Sequence, residues 1–307
     1  MRSAELQTIT DRLLEEQRSL DPAERTVEAR RKRLDGLADI FPLPDDVART
    51  ELELGGVKCV RLEPPGAGED ILVYLHGGGY AGGSATSHSE LAARLARAAG
   101  AVAVLPEYRL APEHPFPAAL DDALAAYRGL LSEIGGDARR VVMAGDSAGA
   151  GLAVALCVAL KEEPQALPRA LALLSPWLDL TCTSPSWDER FEGDPILDHH
   201  LRDAAERYLS GADPRDPLCS PLFADLSGLP PALVLVGTHE ILYDDSVSFA
   251  EVATEHGVEV ELEIGHELIH VWPIFPITPE AVASTARVGR FLAADRGKGV
   301  EHPPQNS

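Results

Sequence analysis

From residue 71 onward, short wholly apolar runs alternate with longer segments of helical period, and this rhythm constrains the fold more than any other feature of the chain. Strands are expected at 71–75, 101–105, 140–144, 170–175, 232–236 and 258–264. Helices are expected near 87–99, 117–134, 148–162, 241–256 and 279–294. A run such as Ile71-Leu72-Val73-Tyr74-Leu75 has no polar face, so both of its faces must be covered. Apolar strands joined by helices imply an α/β architecture with a mostly parallel central sheet flanked by helices. Ligands of such sheets bind beyond the carboxyl ends of the strands.

Two glycine-bearing segments fall at such strand ends. His76-Gly77-Gly78-Gly79 follows the run 71–75, and Gly145-Asp146-Ser147-Ala148-Gly149 follows Val141-Val142-Met143-Ala144. The second has the Gly-x-Ser-x-Gly form, in which a serine sits on a sharp strand-to-helix turn with its hydroxyl lifted clear of the backbone. The first is a loop of bare backbone amides able to donate hydrogen bonds to a developing oxyanion. Gly-x-Ser-x-Gly alone is a weak signal in a glycine-rich chain. Both segments in this order, each closing a buried strand, point to acyl transfer.

A serine hydroxyl needs a base to take its proton, and the base needs an orienting acid. In this arrangement the groups follow the order serine, acid, histidine. Among ten histidines, His270 stands just after the last expected strand and before the final helix, with His266 as its local competitor. His239 lies beside the acid candidates, whereas His199 and His200 fall in an insertion and read as surface or lid residues. For the acid, Glu240 is nearest the end of the strand 232–236. Asp244 and Asp245 come a turn later, where acidic residues favour a helix N-terminus, and Asp244 is held in reserve.

Outside this rhythm, residues 1–45 read as amphipathic cap helices, broken at Asp21-Pro22 with Asp21 as an N-cap, ahead of a catalytic domain spanning 46–307. Residues 51–63 read as two early strands or a hairpin about Gly55-Gly56. Residues 180–228, rich in proline and aromatics, interrupt the alternation and form a candidate lid. Acidic residues outnumber basic ones 49 to 27, for a net charge of −22, which opposes nucleic acid and anionic lipid as partners. The N-terminal residues lack the apolar core of a signal peptide, and no apolar stretch is long enough to span a bilayer. Four cysteines without metal-ligand spacing read as free thiols, so a cytoplasmic location is expected.

Taken together, several motifs resemble the bacterial hormone-sensitive-lipase family of α/β-hydrolases. They are His76-Gly77-Gly78-Gly79-Tyr80, the segment Tyr108-Arg109-Leu110-Ala111-Pro112-Glu113-His114-Pro115-Phe116-Pro117, and Gly145-Asp146-Ser147-Ala148-Gly149. Ser175-Pro176-Trp177-Leu178-Asp179, Asp213-Pro214-Arg215-Asp216-Pro217 and Ile269-His270-Val271-Trp272 complete the set. The resemblance implies Ser147 as nucleophile, His270 as general base, and the amides of Gly78, Gly79 and Ala148 as oxyanion hole. It assigns His76 and the Tyr108 to Pro117 segment to bracing the oxyanion loop. The family acid is most often aspartate; here Glu240 takes that place, as in some members, with a side chain one methylene longer.

The expected activity is hydrolysis of short- to medium-chain carboxylic esters through an acyl-enzyme, needing neither metal nor organic cofactor. Lactone opening or acetyl removal by the same residues are alternatives, as is a non-catalytic binding protein on the same fold. Tyr80, Phe191, Leu201, Tyr208 and Trp272 are candidates for lining an apolar pocket. In relatives the last strand is often an edge that pairs in a dimer, so a homodimer through 258–264 is expected. Glu259, Glu261 and Glu263 would crowd across that pairing unless cations intervene.

Overall fold

In the computed structural model, which describes residues 2–21, 25–163, 165–197 and 200–294, the apolar runs become strands of one sheet. These are β1 (Ala48–Leu54), β2 (Val57–Glu63), β3 (Ile71–Leu75), β4 (Val102–Pro106), β5 (Val141–Asp146), β6 (Leu171–Leu174), β7 (Ala232–His239) and β8 (Val260–Ile269). Among the described residues their spatial order is β1-β2-β4-β3-β5-β6-β7-β8. β2 runs antiparallel to both neighbours, and every pairing from β4 through to β8 is parallel. The hairpin β1–β2 turns at Gly55-Gly56, as the sequence implies.

Helices α1 (Ala4–Ser19), α2 (Val27–Asp35) and α3 (Leu37–Ile40) precede the sheet. Helices α4 (Ala85–Ala99), α5 (Ala118–Glu133) and α6 (Ala148–Glu162) follow β3, β4 and β5 respectively. Between β6 and β7 lie α7 (Ser186–Glu189) and α8 (His200–Leu209), and α9 (Tyr243–Glu255) and α10 (Pro279–Ala293) complete the chain order. Alternate residues of each strand enter opposite cores. Leu72, Tyr74, Val142, Ala144 and Leu233 pack with Leu91 and Leu95 of α4 and Val288 and Leu292 of α10. Val73, Leu75, Met143, Leu171 and Val234 pack with Leu120 of α5, Leu152 and Leu156 of α6 and Phe249 of α9. Each such leucine contributes about 1.5–3 kcal/mol on burial, which is why both strand faces are apolar.

The chain leaves β3 for β4 on one side and returns to β5 on the other, which opens a crevice between the loops after β3 and β5. Both glycine motifs border that crevice. Helix α6 starts so close to β3 that a Cβ on Gly149 would lie 2.1 Å from the Leu75 carbonyl oxygen, so only glycine fits there.

Two expectations move. Helix α2 is capped by Thr26, whose hydroxyl accepts the Ala29 amide at 3.1 Å, rather than by Asp21. A threonine hydroxyl three residues ahead of a free amide is as good a cap as the Asp-Pro break, and Pro22 itself lies outside the described residues. Strand β8 continues past 264 to Ile269, because its backbone keeps pairing with β7 through a register shift near Gly237 after the side-chain alternation has ended. Ser3 anchors α1 to the last helix, donating its amide and hydroxyl to Glu280 at 2.5 and 2.8 Å. At the other end of α1, the Gln17 amide group donates to the Leu197 carbonyl of the β6–β7 insertion at 3.3 Å.

Candidate active site

The strand-to-helix turn after β5 puts Ser147 at φ 53° and ψ −122°, a backbone conformation a non-glycine residue adopts only under constraint. The constraint is visible on both sides of the residue. The Ser147 amide donates to the Leu174 carbonyl at 2.9 Å, and its own carbonyl accepts the Trp177 amide at 3.0 Å. The end of β6 therefore grips the serine backbone, and the side chain stands at the head of α6. Among the described residues, the Ser147 hydroxyl makes no hydrogen bond, and none joins it to His270. The amides of Gly78, Gly79 and Ala148 likewise have no acceptor among the described residues. Three donors without partners beside a serine turn match what an oxyanion requires.

His270 follows the last residue of β8, and its Nδ1 lies 2.7 Å from Glu240 Oε2 with both side chains buried. The other Glu240 oxygen accepts the Ser175 hydroxyl at 2.9 Å and the Gly237 amide at 2.5 Å. Ser175 also accepts the Val271 amide at 3.0 Å, so one hydroxyl ties the acid to the residue after the histidine. Burial opposes a charged imidazole, but the hydrogen bond and charge of Glu240 outweigh it, and the His270 pKa is raised above its ordinary value. Asp194 and Asp146 add to that rise.

The other acid and histidine candidates lie elsewhere. Asp244 accepts the Ser186 amide at 2.8 Å and serves the insertion, not His270. Asp245 is buried and accepts the amides of Leu178 and Asp179 at 2.8 and 2.9 Å. His266 is exposed and His239 half-buried; His199 lies outside the described residues, as does the side chain of His200.

His76 is buried under the glycine loop after β3, its ring stacked on Tyr108 with centroids 4.2 Å apart. Its Nδ1 donates to the Gly77 carbonyl at 2.9 Å, and the Tyr108 hydroxyl donates to the His76 carbonyl at 2.5 Å. Burial pushes the His76 pKa down to about 3, so the ring is neutral. Helix α2 lies along the same loop from outside. Arg31 donates to the carbonyls of Ala81 and Ala111 at 2.8 and 3.0 Å and pairs with Glu113 at 2.7 Å. Ser84 donates to Asp35 at 2.6 Å.

Of the pocket candidates, Leu201 faces the glycine loop after β3, its Cδ1 3.4 Å from where a Cβ on Gly79 would stand. Tyr80 and Tyr208 are stacked on each other with centroids 3.8 Å apart. Trp272 packs in the opposite core and donates to Ser284 at 2.9 Å. Phe191 is half-buried in the insertion. Sequence reasoning missed Ser175 and Asp194 as neighbours of the acid. Ser175 belongs to a motif that the resemblance had already flagged, but Asp194 has no local signal beyond the Asp-Pro step that follows it.

A family model described as the alpha/beta hydrolase fold matches residues 72–274. An acetyl-hydrolase of Streptomyces hygroscopicus is 47% identical over 232 residues, covering 75% of this chain and 77% of the relative. An esterase of Acinetobacter venetianus is 36% identical over 275 residues, covering 87% and 90%. The crystal structure of an esterase from the bacterial hormone-sensitive lipase family superposes with a TM-score of 0.91 at 40% identity, covering 95% of this chain and 98% of that one. The chain belongs to the α/β-hydrolase family, in its bacterial hormone-sensitive-lipase branch. Among the described residues no helix is long and apolar enough to cross a membrane.

Proposed function

We propose that this chain is a carboxylesterase that hydrolyses short- to medium-chain acyl esters with Ser147, His270 and Glu240 as its triad. The observation that carries the reading is the buried 2.7 Å pair of His270 Nδ1 with Glu240, set beside a strained serine turn and three partnerless amides. Ser147 attacks the ester carbonyl while His270 Nε2 takes its proton. Glu240 fixes the tautomer with the proton on Nδ1 and stabilises the imidazolium that forms. The amides of Gly78, Gly79 and Ala148 hold the oxyanion. His270 returns the proton to the leaving alcohol, and water repeats the sequence on the acyl-enzyme to release the acid. Catalytic hydrogen bonds of this kind are often long in the free enzyme and tighten when substrate binds.

The N-terminal helices, residues 1–45, and the insertion, about 180–228, act as the cap of the catalytic domain 46–307. The Gln17–Leu197 bond between α1 and the insertion, and Leu201 of α8 against Gly79, support this division. A second reading, removal of an acetyl group, is favoured by the relative named acetyl-hydrolase. Pairing of two chains through β8 is supported by its place at the edge of the sheet. Arg287 pairs with Glu261 and lies 3.9 Å from Glu263, supplying the cation that an antiparallel row of glutamates needs.

The reading is tested by labelling with an organophosphonate and mapping the adduct, alongside rates on acyl esters of increasing length and on acetamides. An adduct on Ser147 and rates that peak among short acyl chains are expected. No adduct, or rates rising steadily to hexadecanoyl esters, would count against it.

A further inference from the structure

The insertion holds the loop that carries Glu240 at several points. Ser186 donates its hydroxyl to the Ile241 carbonyl at 2.6 Å, and its amide donates to Asp244 at 2.8 Å. Arg190 donates to the Thr238 carbonyl at 2.6 Å and lies over the Tyr243 ring at 3.9 Å. Asp194 closes the set. Its Oδ2 accepts the amide of Ile241, the residue after Glu240, at 3.0 Å, while Oδ1 accepts the amides of Ile196 and Leu197 at 2.9 and 2.8 Å. Its side chain is completely buried.

A neutral acceptor would satisfy those three amides. A buried carboxylate is costly unless its charge is answered, and a cation that acts on Asp194 is the imidazolium of His270. We propose that Asp194 is a positioning residue of the active site, fastening the Glu240 loop to the insertion and lending negative charge to the protonated His270. The proposal rests on the hydrolase reading above and adds to it a second carboxylate, supplied by the cap.

The electrostatics agree in direction. Burial pushes the Asp194 carboxyl up to about 6, with His270 opposing the rise and Glu240 adding to it. Asp194 in turn helps to raise the His270 pKa, behind Glu240 and ahead of Asp146. Other charged or titratable groups facing this cluster include Asp146 at the end of β5, Arg190 of the insertion, Tyr243 and Asp244 at the start of α9, and His239, which lies close to Gly193. Asp194 and His270 thus shift each other in the directions that a carboxylate beside an imidazolium requires.

The test is the pH profile of kcat/KM on a short nitrophenyl ester, whose acid limb reports the base in the free enzyme. Asp194→Asn is expected to move that limb to lower pH by roughly half a unit or more and to lower the plateau kcat about 3- to 10-fold, with KM little changed. Ser186→Ala loosens the same loop without changing charge, and its limb is expected to coincide with that of the wild type. An Asp194→Asn limb that coincides with the wild type, or a Ser186→Ala limb that moves as far, overturns the proposal. Should Asp194→Asn fail to fold, the imidazole of His270 in the wild-type protein is titrated by NMR. A second inflection near pH 6 is expected from Asp194, and a single-step curve overturns the proposal. That titration needs no turnover, so it stays decisive even if Ser147 proves not to be a nucleophile.

Discussion

The Gly77 amide donates to Asp146 Oδ1 at 2.9 Å, and the same oxygen accepts the Tyr74 hydroxyl at 2.7 Å. The residue before Ser147 thereby ties the serine turn to the start of the glycine loop after β3. His88 lies 3.4 Å from the other carboxylate oxygen. Burial opposes the ionised carboxylate, yet His88 and the two hydrogen bonds hold it below the ordinary range, so it stays charged. The fit at Gly77 is close as well: a Cβ there would stand 2.1 Å from Asp146 Oδ2.

Replacing Asp146 by alanine strands the Tyr74 hydroxyl and the Gly77 amide in the core. At about 1–3 kcal/mol for each buried donor left without a partner, Asp146→Ala is expected to lose roughly 2–6 kcal/mol of stability. Asp146→Asn keeps an acceptor for both donors and is expected to lose less. Urea denaturation of the two variants checks this, and equal midpoints would refute it.

Glu240 is predicted to matter through the tautomer and charge of His270, not through the fold alone. Glu240→Gln is expected to lower kcat by roughly 10³–10⁴-fold. The sign of the accompanying pH effect follows from the raised His270 pKa. The base works when neutral, so activity is lost as pH falls through that pKa. Removing the carboxylate lowers the pKa and must carry the acid limb of kcat/KM to lower pH. Steady-state kinetics across pH check both effects; a limb that rises instead contradicts the electrostatic account.

Asp245 gives the fold a pH dependence of its own. Burial pushes its carboxyl up to about 8, and its Oδ1 has no partner among the described residues. An acid whose folded pKa exceeds its unfolded value contributes stability that is full below the unfolded value and lost as pH rises through the folded one. The loss therefore builds from the ordinary carboxylate range and is complete once pH passes about 8. Asp245→Asn is expected to flatten the melting temperature between pH 5 and 9, and to gain a few degrees (about 2–4 °C) over the wild type at the alkaline end. Parallel curves for the two proteins would show that Asp245 is not the cause.

Much of this was legible in the sequence for identifiable reasons. Strands covered on both faces are apolar throughout, so β3 to β7 stand out; the serine turn falls where β5 ends, and the histidine comes just past the next strand, β8. Glu240 was readable as the first acid past β7, and the geometry pairs it with His270. What escaped depends on contacts between distant segments. Ser175 reaches Glu240 across 65 residues and Asp194 reaches Ile241 across 47, with no local pattern to announce either. The end of β8 was misjudged because backbone pairing, which side-chain alternation does not encode, carries it past Ile264. Tyr80, Tyr208 and Trp272 read as pocket residues by type, whereas their rings are consumed by packing.

Whether Ser147 is the nucleophile of an ester hydrolase is decided by comparing Ser147→Ala with the wild type on a short nitrophenyl ester. Circular dichroism should first show that the variant is folded. A fall in kcat of at least about 10³-fold is expected, since the oxyanion amides alone sustain only residual catalysis. A folded Ser147→Ala protein that hydrolysed the ester at the wild-type rate would contradict it.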